Sequence, residues 1–410
     1  MQEAERKTGR AGAGESRPAR LAARAVICTL IAMAAGVSAQ AGDVSVADYG
    51  VTKDGRQVRA FTLSNGHGAS AIILDYGATV AAINVPDRKG EFGNVVMSFS
   101  DLSAWETLGH ANAVIGRYAN RLKGGFTLDG VHYPLTQNAA GVTLHGGPPT
   151  YSTRVWSASV VQGEAASVSF ELDSPAGDQG FPGALRVTAT YTLTDANELR
   201  LDFTAATDAP TVLNLTNHIY FNLSGDSAVP VYDHQLTMSA DRIAHKDETN
   251  TPDGLLVATQ DTPLDLNQPK SLRSLAQAAL DPRFAAPRVN APTLAEGQLP
   301  TFDHAYVLDT FPRDPQAVAA RLTEAGSGRV LEVRTSEPSI QVFVSNSSRP
   351  GLLSDVGRPF PPGASVALET QHLPDSPNQP HFASTELRPG QEFRSTTSWT
   401  FGVDPQVDVD

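Results

Sequence analysis

Apolar and polar residues alternate through most of the chain, which is the period of a β-strand with one buried face. Residues 58–63 and 167–172 show this alternation, and residues 185–193 show it over a longer run. The same pattern returns at residues 199–205, after the short polar connection 195–197. We therefore predict that these last two segments pair as an antiparallel hairpin within a large sheet.

Helical periodicity is scarce, and only residues 102–107 and 272–279 predict short helices. Residues 69–85 are apolar almost throughout, as expected of strands that are buried on both faces. The 34 glycines and 28 prolines are scattered between short strands, which favours a β-sandwich. We predict an all-β protein with a single domain over residues 42–410, in which the Ala- and Pro-rich segment 281–300 is a surface excursion.

A single acid, Glu369, lies in the otherwise apolar and neutral run that begins the segment VALETQHLPDSPNQPH. If this run is a strand, alternation divides it into a core face with Val366, Leu368 and Thr370 and an opposite face with Ala367, Glu369 and Gln371. The carboxylate therefore leaves the strand on its non-core face, just before a Pro-rich turn. We interpret Glu369 as a candidate general base.

A histidine lies in a second polar face, in the segment TVLNLTNHIYFNL at residues 211–223. On a strand, Leu213 and Leu215 take the core face, while His218 shares the other face with Asn214, Thr216 and Tyr220. A lone histidine is more often a surface or packing residue than a catalytic one. The hydrogen-bonding and aromatic residues on its face favour a functional role for His218.

Four other short segments place polar residues where they could read sugar hydroxyls, although each segment has an ordinary structural explanation as well. VTLHGG ends in two glycines that make a turn or permit close backbone approach, and GRYANR could be a loop with a solvated arginine. TFDHAYVL puts its Asp and His on opposite faces, and SIQVFVS puts a Gln beside a Phe. The candidate residues in these segments are His145, Asn120, Arg121, Asp303 and Gln341.

The first 41 residues predict a secretory signal peptide that precedes the fold. Six basic residues come before or at the edge of an apolar run at residues 25–37, and Ala39-Gln40-Ala41 matches the small-residue pattern of a cleavage site. The apolar run is shorter than the roughly 20 residues that a membrane-spanning helix needs. We expect cleavage after Ala41, export to the bacterial periplasm or the medium, and no stable membrane insertion after cleavage.

Composition excludes several classes of function. The chain carries 31 basic and 44 acidic residues, a net charge of −13, and no basic cluster that would bind nucleic acid. Its one cysteine, Cys28, lies in the predicted leader, so the mature protein would have no disulfide, thiolate nucleophile or cysteine-bound zinc. Ten histidines occur without an H-E-x-x-H sequence, and neither a G-x-S-x-G sequence nor a P-loop is present. We expect no metal and no cofactor.

An acid/base site that needs neither a metal nor a covalent nucleophile remains. One Glu and one His on a polar sheet face suffice to move protons to and from a sugar hydroxyl and its ring oxygen. Each such positioned group typically contributes about 10² to 10⁴ in rate.

Six segments, taken together, resemble the aldose 1-epimerases, also known as galactose mutarotases. They occur in the order of that family, at similar spacing, over essentially the whole mature chain. They are GRYANR at 116–121, TLHGG at 143–147, NHIYFNLSG at 217–225, FDHAYVL at 302–308, IQVF at 340–343 and LETQHLPDSPNQPHF at 368–382. The resemblance implies a large antiparallel β-sandwich, the galactose mutarotase-like supersandwich, with a sugar cleft on one face.

The resemblance also implies roles for the candidate residues. Glu369 would be the general base that takes the proton from the C1 hydroxyl, and His218 the general acid that protonates the ring oxygen. His145 would lie near the same oxygen. The other four residues, Asn120, Arg121, Asp303 and Gln341, would hold the sugar hydroxyls. The mechanism asks for an ionised Glu369 and a protonated His218 at the working pH.

The function we expect is exchange of the α and β anomers of free hexoses such as galactose or glucose, by a monomer or a homodimer. The alternatives are a hexose-6-phosphate 1-epimerase and a non-catalytic sugar-binding protein, with a polysaccharide lyase or glycoside hydrolase as a weaker option. Two features depart from the family. The stretch between His218 and Asp303 is longer, and His372 occupies a position where the family often has Asn.

Overall fold

The structure is a computed structural model that describes residues 42–139, 141–281, 284, 297–346 and 351–404. The predicted leader, most of the predicted excursion at 281–300 and most of the acidic tail lie outside the described residues. Strands are numbered β1 to β28 and helices α1 and α2 in chain order. All pairings between these strands are antiparallel.

The largest sheet has nine strands and forms one layer of the fold. In spatial order its strands are β11 (Ser157–Val161), β12 (Ala166–Ser174), β13 (Leu185–Leu193), β14 (Glu198–Thr207), β28 (Phe393–Val403), β24 (Arg329–Thr335), β23 (Ala320–Thr323), β18 (Gln235–Met238) and β21 (Lys270–Ser271). The predicted hairpin is confirmed, because β13 and β14 pair over their whole lengths.

A six-stranded sheet carries the polar segments that the sequence singled out. Its strands, in spatial order, are β17 (Tyr220–Phe221), β26 (Val366–Gln371), β25 (Ser339–Val344), β22 (Phe302–Val307), β19 (Arg242–Lys246) and β20 (Pro252–Ala258). A five-stranded sheet has its strands in sequence order: β1 (Asp43–Val51), β2 (Gln57–Ser64), β3 (Ser70–Leu74), β4 (Thr79–Pro86) and β5 (Phe92–Asn94).

Short ladders and two helices complete the described elements. The two-stranded ladders are β6 (Val114–Ile115) with β16 (Thr216–Asn217), β7 (Arg121–Lys123) with β10 (Val142–Leu144), β8 (Phe126–Leu128) with β9 (Val131–Tyr133), and β15 (Thr211–Val212) with β27 (Glu386–Leu387). The helices α1 (Leu102–Leu108) and α2 (Leu272–Ala278) confirm both predicted helical segments. Each begins at a residue whose side chain accepts a hydrogen bond from the first turn, Asp101 and Ser271 respectively.

The main hydrophobic core lies between the nine-stranded sheet and the other two large sheets. Phe61 of β2 packs edge-on against Phe170 of β12, and Phe221 of β17 lies against Trp399 of β28. A polar contact crosses the same layer, because the hydroxyls of Thr370 and Thr397 are 2.7 Å apart. The six-stranded sheet therefore has one face in the core and leaves its other face for a site.

The segment 211–223 is not the single strand that alternation predicts. It forms three short strands, β15, β16 and β17, each paired with a different partner. The predicted faces are nevertheless right, because Leu213 and Leu215 lie in the main core and His218 does not. Thr216 and Asn217 pair with β6, whereas Tyr220 and Phe221 pair with β26. The backbone turns between these two pairings, and alternation alone does not reveal such a turn.

Candidate active site

Glu369 lies in the middle of β26, on the face of the six-stranded sheet that points away from the main core. Its neighbours Val366 and Leu368 pack into that core, as predicted. The strands β17 and β25 flank β26, so the carboxylate emerges from the interior of a sheet and is only 2% exposed. A carboxylate so buried is costly to ionise, and such a cost is typical of functional positions.

His218 faces Glu369 from the connection between β16 and β17. Its backbone is fixed on both sides, because its N–H donates to Ala113 O and its carbonyl accepts from Asn112 N, each at 3.0 Å. The ring stacks on Tyr220 with a centroid distance of 4.7 Å. This places His218 Nε2 3.4 Å from Glu369 Oε1. The predicted acid and base therefore lie beside each other, and both are buried.

Two further histidines lie against His218. The ring of His145 is 5.5 Å from that of His218, and the ring of His110 is 5.2 Å from it. The rings of His110 and His145 stack at 6.0 Å, and His110 Nε2 lies 3.3 Å from the hydroxyl of Tyr220. Three imidazoles therefore form one wall beside the Glu369 carboxylate.

Asp303, on β22, is held by side chains from three directions. Gln341 Nε2 donates to one of its carboxylate oxygens and Asn250 Nδ2 to the other. Arg121 Nη1 lies 3.7 Å from Asp303 Oδ2, and Lys246 Nζ donates to the backbone carbonyl of Asp303. The prediction that His304 and Asp303 lie on opposite faces is confirmed. The His304 ring points away from Asp303, and its Nε2 lies 2.9 Å from the carbonyl oxygen of Phe284.

The segments GRYANR and VTLHGG bind each other and bring Asn120, Arg121 and His145 to the site. The backbone N–H of Asn120 donates to His145 Nδ1 at 3.2 Å, and the N–H of His145 donates back to Asn120 O at 2.8 Å. Arg121 Nη1 donates to Asn120 Oδ1 at 3.0 Å. Because Nδ1 of His145 accepts a hydrogen bond, the ring proton lies on Nε2, which can donate to a ligand.

The two glycines that follow His145 serve close packing of backbone against backbone. A Cβ at Gly146 would lie 2.4 Å from the carbonyl oxygen of Gly116, and the φ of Gly146 is +81°. Only glycine fits this approach. The contact joins the loop that carries His145 to the loop that carries Asn120 and Arg121, so the sequence VTLHGG is more than a simple turn.

All seven predicted site residues are connected by a chain of neighbouring contacts. His218 joins Glu369 to His145, His145 joins the pair to Asn120, and Asn120 leads through Arg121 to Asp303. Gln341 closes the ring, because it binds Asp303 and is the cross-strand partner of Glu369. The structure therefore brings together residues that are far apart in the sequence.

Burial controls the protonation of the central pair. Burial, with the nearby charge of Asp303, raises the pKa of Glu369 well above its usual 4.5. Burial, with the neighbouring His110 and His145, lowers the pKa of His218 well below 6.5. Both shifts favour a protonated Glu369 beside a neutral His218. Both shifts oppose the expected ion pair, because desolvation is the largest cause of each.

The pKa of Asp303 is shifted in the opposite direction to that of Glu369. Burial opposes its ionisation, but Arg121 and Lys246, with the hydrogen bonds from Gln341 and Asn250, outweigh burial and lower the pKa of Asp303 to about 2. Two buried carboxyl groups in one site therefore have pKa values shifted in opposite directions, because Arg121 and Lys246 act on Asp303 whereas burial dominates at Glu369. Burial first, and then His110 and Arg121, lower the pKa of His145, which keeps it neutral.

Several buried polar atoms of the site have no hydrogen-bond partner in the part of the chain that the structure describes. They are Glu369 Oε2, His218 Nδ1, Gln341 Oε1 and Asn250 Oδ1. Three of these four atoms are oxygen acceptors, and a sugar presents many hydroxyl donors. Because buried polar groups in folded proteins are nearly always paired, this set is suited to a polyhydroxylated ligand.

The Pro-rich segment that follows β26 is joined to β7 by hydrogen bonds. Asp375 donates its backbone N–H to Arg121 O at 2.8 Å, and its carboxylate accepts from Lys123 N at 2.9 Å. Asn378 Nδ2 binds Gly125 O at 2.9 Å and Asp375 Oδ1 at 2.7 Å. These contacts also fix the backbone of Arg121, so the turn braces both Glu369 and Arg121.

Sequence reasoning missed three residues of the site: His110, Lys246 and Asn250. His110 follows α1 in a segment with no recognisable pattern, and only its position in an apolar stretch could have drawn attention to it. Lys246 and Asn250 lie in the charged run 245–250, which is typical of a solvated turn. The phenyl ring of Phe343, which the sequence placed beside Gln341, lies 6.1 Å from His218.

Among the residues that the structure describes, no group of three or more His, Cys, Asp or Glu side chains could hold a metal ion. In the same part of the chain, no helix has both the length and the apolar character needed to cross a membrane.

Comparison with protein families gives one match that spans most of the chain. The family described as aldose 1-epimerase matches residues 59–400. Galactose mutarotase of Sus scrofa is 37% identical over 333 residues, which are 81% of this chain and 90% of that protein. Aldose 1-epimerase of Escherichia coli strain K12 is 33% identical over 352 residues, which are 85% of this chain and 96% of that protein.

Solved structures agree with the sequence matches. An aldose epimerase homologue from C. elegans aligns with a TM-score of 0.73 at 28% identity, covering 88% of this chain and 99% of that one. Galactose 1-epimerase from Lactobacillus acidophilus aligns with a TM-score of 0.72 at 23% identity and the same coverage, which shows the shared fold. The predicted all-β sandwich of the mutarotase type is confirmed.

Proposed function

The chain belongs to the aldose 1-epimerase family, and we propose that it interconverts the α and β anomers of free hexoses such as galactose and glucose. One observation carries the proposal: His218 Nε2 and Glu369 Oε1 lie 3.4 Å apart in a buried site lined by orphaned acceptors. A base and an acid at this separation can act on two oxygens that share one carbon, as O1 and the ring oxygen of a hexose do.

Glu369 and His218 divide the two proton transfers. The Glu369 carboxylate takes the proton from the C1 hydroxyl, and the electron pair of that O–H bond forms the C1 carbonyl. The bond between C1 and the ring oxygen breaks, and His218 gives its proton to that oxygen. After rotation about the C1–C2 bond, the reverse transfers close the ring on the other face of C1. No proton is gained or lost overall.

The neutral pair, which both pKa shifts favour, and the active pair contain the same number of protons. Moving one proton from Glu369 to His218 converts the neutral pair into a carboxylate and an imidazolium. Hydrogen bonds from the sugar hydroxyls to the Glu369 carboxylate favour the charged form. Substrate binding thus prepares the acid and the base without a proton from solvent.

The remaining predicted residues hold the sugar. The ring of His145 lies 5.5 Å from that of His218 and carries its proton on Nε2, so this N–H is suited to bind the ring oxygen. The Arg121 guanidinium contacts both the Asn120 side chain and the Asp303 carboxylate, and the Gln341 amide binds the same carboxylate, so these four groups form one continuous polar surface. Such fixed polar groups orient a hexose for proton transfer at C1.

The competing functions receive less support. A non-catalytic sugar-binding protein would not need an acid and a base brought together at a buried position, where both are costly to ionise. A hexose-6-phosphate epimerase would need unneutralised cations, whereas Arg121 lies against the Asp303 carboxylate. The relatives reported above are described as acting on galactose or aldoses.

We also propose that residues 1–41 direct export and are removed. The apolar run that follows a basic start and ends in Ala39-Gln40-Ala41 supports this proposal. The N-terminus of the exported protein should be Gly42. Full-length protein confined to the cytoplasm would contradict the proposal.

Anomer exchange tests the proposed function directly. Purified protein is added to freshly dissolved α-galactose or α-glucose, and optical rotation or the anomeric proton signals are followed against buffer. Acceleration of mutarotation is the expected result. No acceleration, with sugar binding still measurable by calorimetry, would instead favour a sugar-binding protein.

A further inference from the structure

The turn between β19 and β20 reaches the sugar-binding side of the site, and it is rigid. Asp247 Oδ1 accepts from the backbone N–H of Thr249 and of Thr251, at 2.8 and 3.1 Å. Lys123, next to Arg121 on β7, forms an ion pair with Asp247. At the tip of the turn, Asn250 has a φ of +63°, which asparagine tolerates better than most residues.

The orientation of the Asn250 amide is fixed by its partner. Asp303 is ionised and can only accept hydrogen bonds, so the group that faces Asp303 Oδ2 is the NH₂ of Asn250. The carbonyl oxygen, Oδ1, must then point elsewhere. It is buried and has no hydrogen-bond partner among the described residues. The turn therefore presents an oriented acceptor that is available to a donor from a ligand.

Gln341 has the same arrangement on the other side of Asp303. Its NH₂ group donates to Asp303 Oδ1, and its carbonyl oxygen is also buried, with no partner among residues that the structure describes. One carboxylate thus orients two amides, each with an acceptor left over. Since sequence resemblance implicates Gln341 in holding the sugar, the equivalent bonding of Asn250 assigns it a similar role.

The position of Asn250 across the sheet indicates which part of a sugar it can reach. Glu369 is on β26, Gln341 on the adjacent β25, and Asp303 on β22, with the β19–β20 turn beyond it. Neighbouring strands are about 4.8 Å apart. With C1 placed at Glu369, atoms that reach Asn250 belong to the opposite end of the ring, at C3, C4 or C6.

We propose that Asn250 is a further specificity-determining residue, whose carbonyl oxygen accepts a hydrogen bond from a hexose hydroxyl at C3, C4 or C6. The inference rests on the proposed function, because it places the anomeric carbon at Glu369. Asn250 acts in substrate binding and takes no part in the proton transfers.

Deoxy sugars combined with one substitution test this role. Anomer exchange is measured by NMR for glucose or galactose and for the 2-, 3-, 4- and 6-deoxy analogues, with wild-type protein and with Asn250→Gly. Glycine tolerates the positive φ and removes the whole amide. For one of the 3-, 4- or 6-deoxy sugars, kcat/KM of the wild type should fall roughly threefold to tenfold, the value of one hydrogen bond.

For Asn250→Gly, kcat/KM with the parent sugar should fall below the wild-type value, mainly because KM rises. The variant's kcat/KM with the same deoxy sugar should be no lower than its value with the parent sugar. If every deoxy penalty is as large in the variant as in the wild type, Asn250 only braces Asp303 and the inference is wrong. A wild type that shows no penalty with any of the three sugars overturns it as well, whether or not the variant folds.

Matched controls separate this result from other failures. Glu248→Ala changes an exposed residue of the same turn and should keep the wild-type pattern. Thermal unfolding of Asn250→Gly reports whether the fold is kept, and Asn250→Ser offers a second variant. If the wild type exchanges the anomers of none of these sugars, the proposed function itself is overturned. If it exchanges them but the deoxy penalties are the same in Asn250→Gly as in the wild type, only the role of Asn250 is overturned.

Discussion

Burial makes the Glu369 carboxyl group costly to ionise, so its presence is explained by its chemistry and not by a gain in stability. We predict that Glu369→Gln lowers kcat for anomer exchange by about 10² to 10⁴, the usual contribution of one general base. The amide keeps the shape of the side chain and can still accept hydrogen bonds, so sugar binding should be retained. Polarimetry and calorimetry on the same preparation check the two parts, and near wild-type turnover would remove Glu369 from the base role.

The same substitution should affect stability in the opposite direction. Because the pKa of Glu369 is raised on folding, the folded protein holds this proton more tightly than the unfolded chain, which loses it near pH 4.5. The wild type is therefore destabilised by this group as pH rises from about 4.5 through the raised pKa. Gln has no proton to lose, so Glu369→Gln should be more stable than wild type at neutral pH.

Thermal unfolding at several pH values measures this effect. The difference in Tm between Glu369→Gln and wild type should be largest at neutral pH and should shrink as the pH falls toward 4. A variant that is less stable than wild type at neutral pH would show that Glu369 is ionised in the folded protein and stabilised by its neighbours. Gains in stability with loss of activity are typical of buried functional groups.

The pH profile of exchange reports the Glu369–His218 pair as a unit. The pair is active when the two groups together hold one proton, so a plot of kcat/KM against pH should be bell-shaped. Protonation of His218 is resisted by burial, so the acid limb should lie below pH 6.5. The alkaline limb reports loss of the one proton that the pair holds. Because burial raises the pKa of Glu369, this limb should lie well above pH 4.5. An acid limb at or above pH 6.5 would contradict the lowered pKa of His218.

At the scale of elements, the site depends on how the segment after β26 is tied to β7. Asp375 has a φ of +60° and accepts hydrogen bonds from Lys123 N, Asn378 Nδ2 and Gln379 Nε2. Its backbone N–H binds the carbonyl of Arg121. A single acid thus connects the segment after β26, the strand of Glu369, to β7, the strand that carries Arg121.

We predict that Asp375→Asn loosens this connection. Asparagine tolerates the same backbone conformation, but its NH₂ group would face donors that now bind a carboxylate oxygen. Leaving a buried donor unpaired costs about 1–3 kcal/mol, so the free energy of unfolding should fall by that amount in urea titrations. KM should rise because Arg121 moves, while kcat should change less than in Glu369→Gln.

A second aspartate provides the control for Asp375→Asn. Asp261 also has a positive φ, of +59°, but it is exposed. Asp261→Asn should therefore leave both the unfolding free energy and KM close to wild type. If the two variants behave alike, the segment after β26 does not brace the site.

How far the sequence predicts these elements depends on the range of the interactions. Alternation identified the β13–β14 hairpin and the faces of β26, because these features are local. It missed the division of 211–223 into three strands, since β6 and β26 come from distant parts of the chain. Asn250 was missed for a similar reason: only the register of β19, β22 and β25 brings a charged turn to Asp303.

At the scale of the whole molecule, net charge bears on the choice of substrate. The chain has 44 acidic and 31 basic residues, and a surface with this excess repels anions over the Debye length, about 10 Å at 0.1 M salt. Within the described part of the site, Arg121 lies against the Asp303 carboxylate and Lys123 is paired with Asp247. A phosphate on C6 would therefore meet neutralised cations in an acidic protein.

We predict that kcat/KM for glucose 6-phosphate is roughly tenfold or more below that for glucose at low ionic strength. Added salt screens the repulsion, so the value for the phosphate should rise between 0.01 and 0.5 M salt, whereas glucose, which is uncharged, should be unaffected. NMR exchange of both sugars at the two salt concentrations measures this, with glucose as the internal control. Faster exchange of the phosphate, declining as salt is added, would indicate an attractive anion site and make the phosphorylated sugar the better substrate.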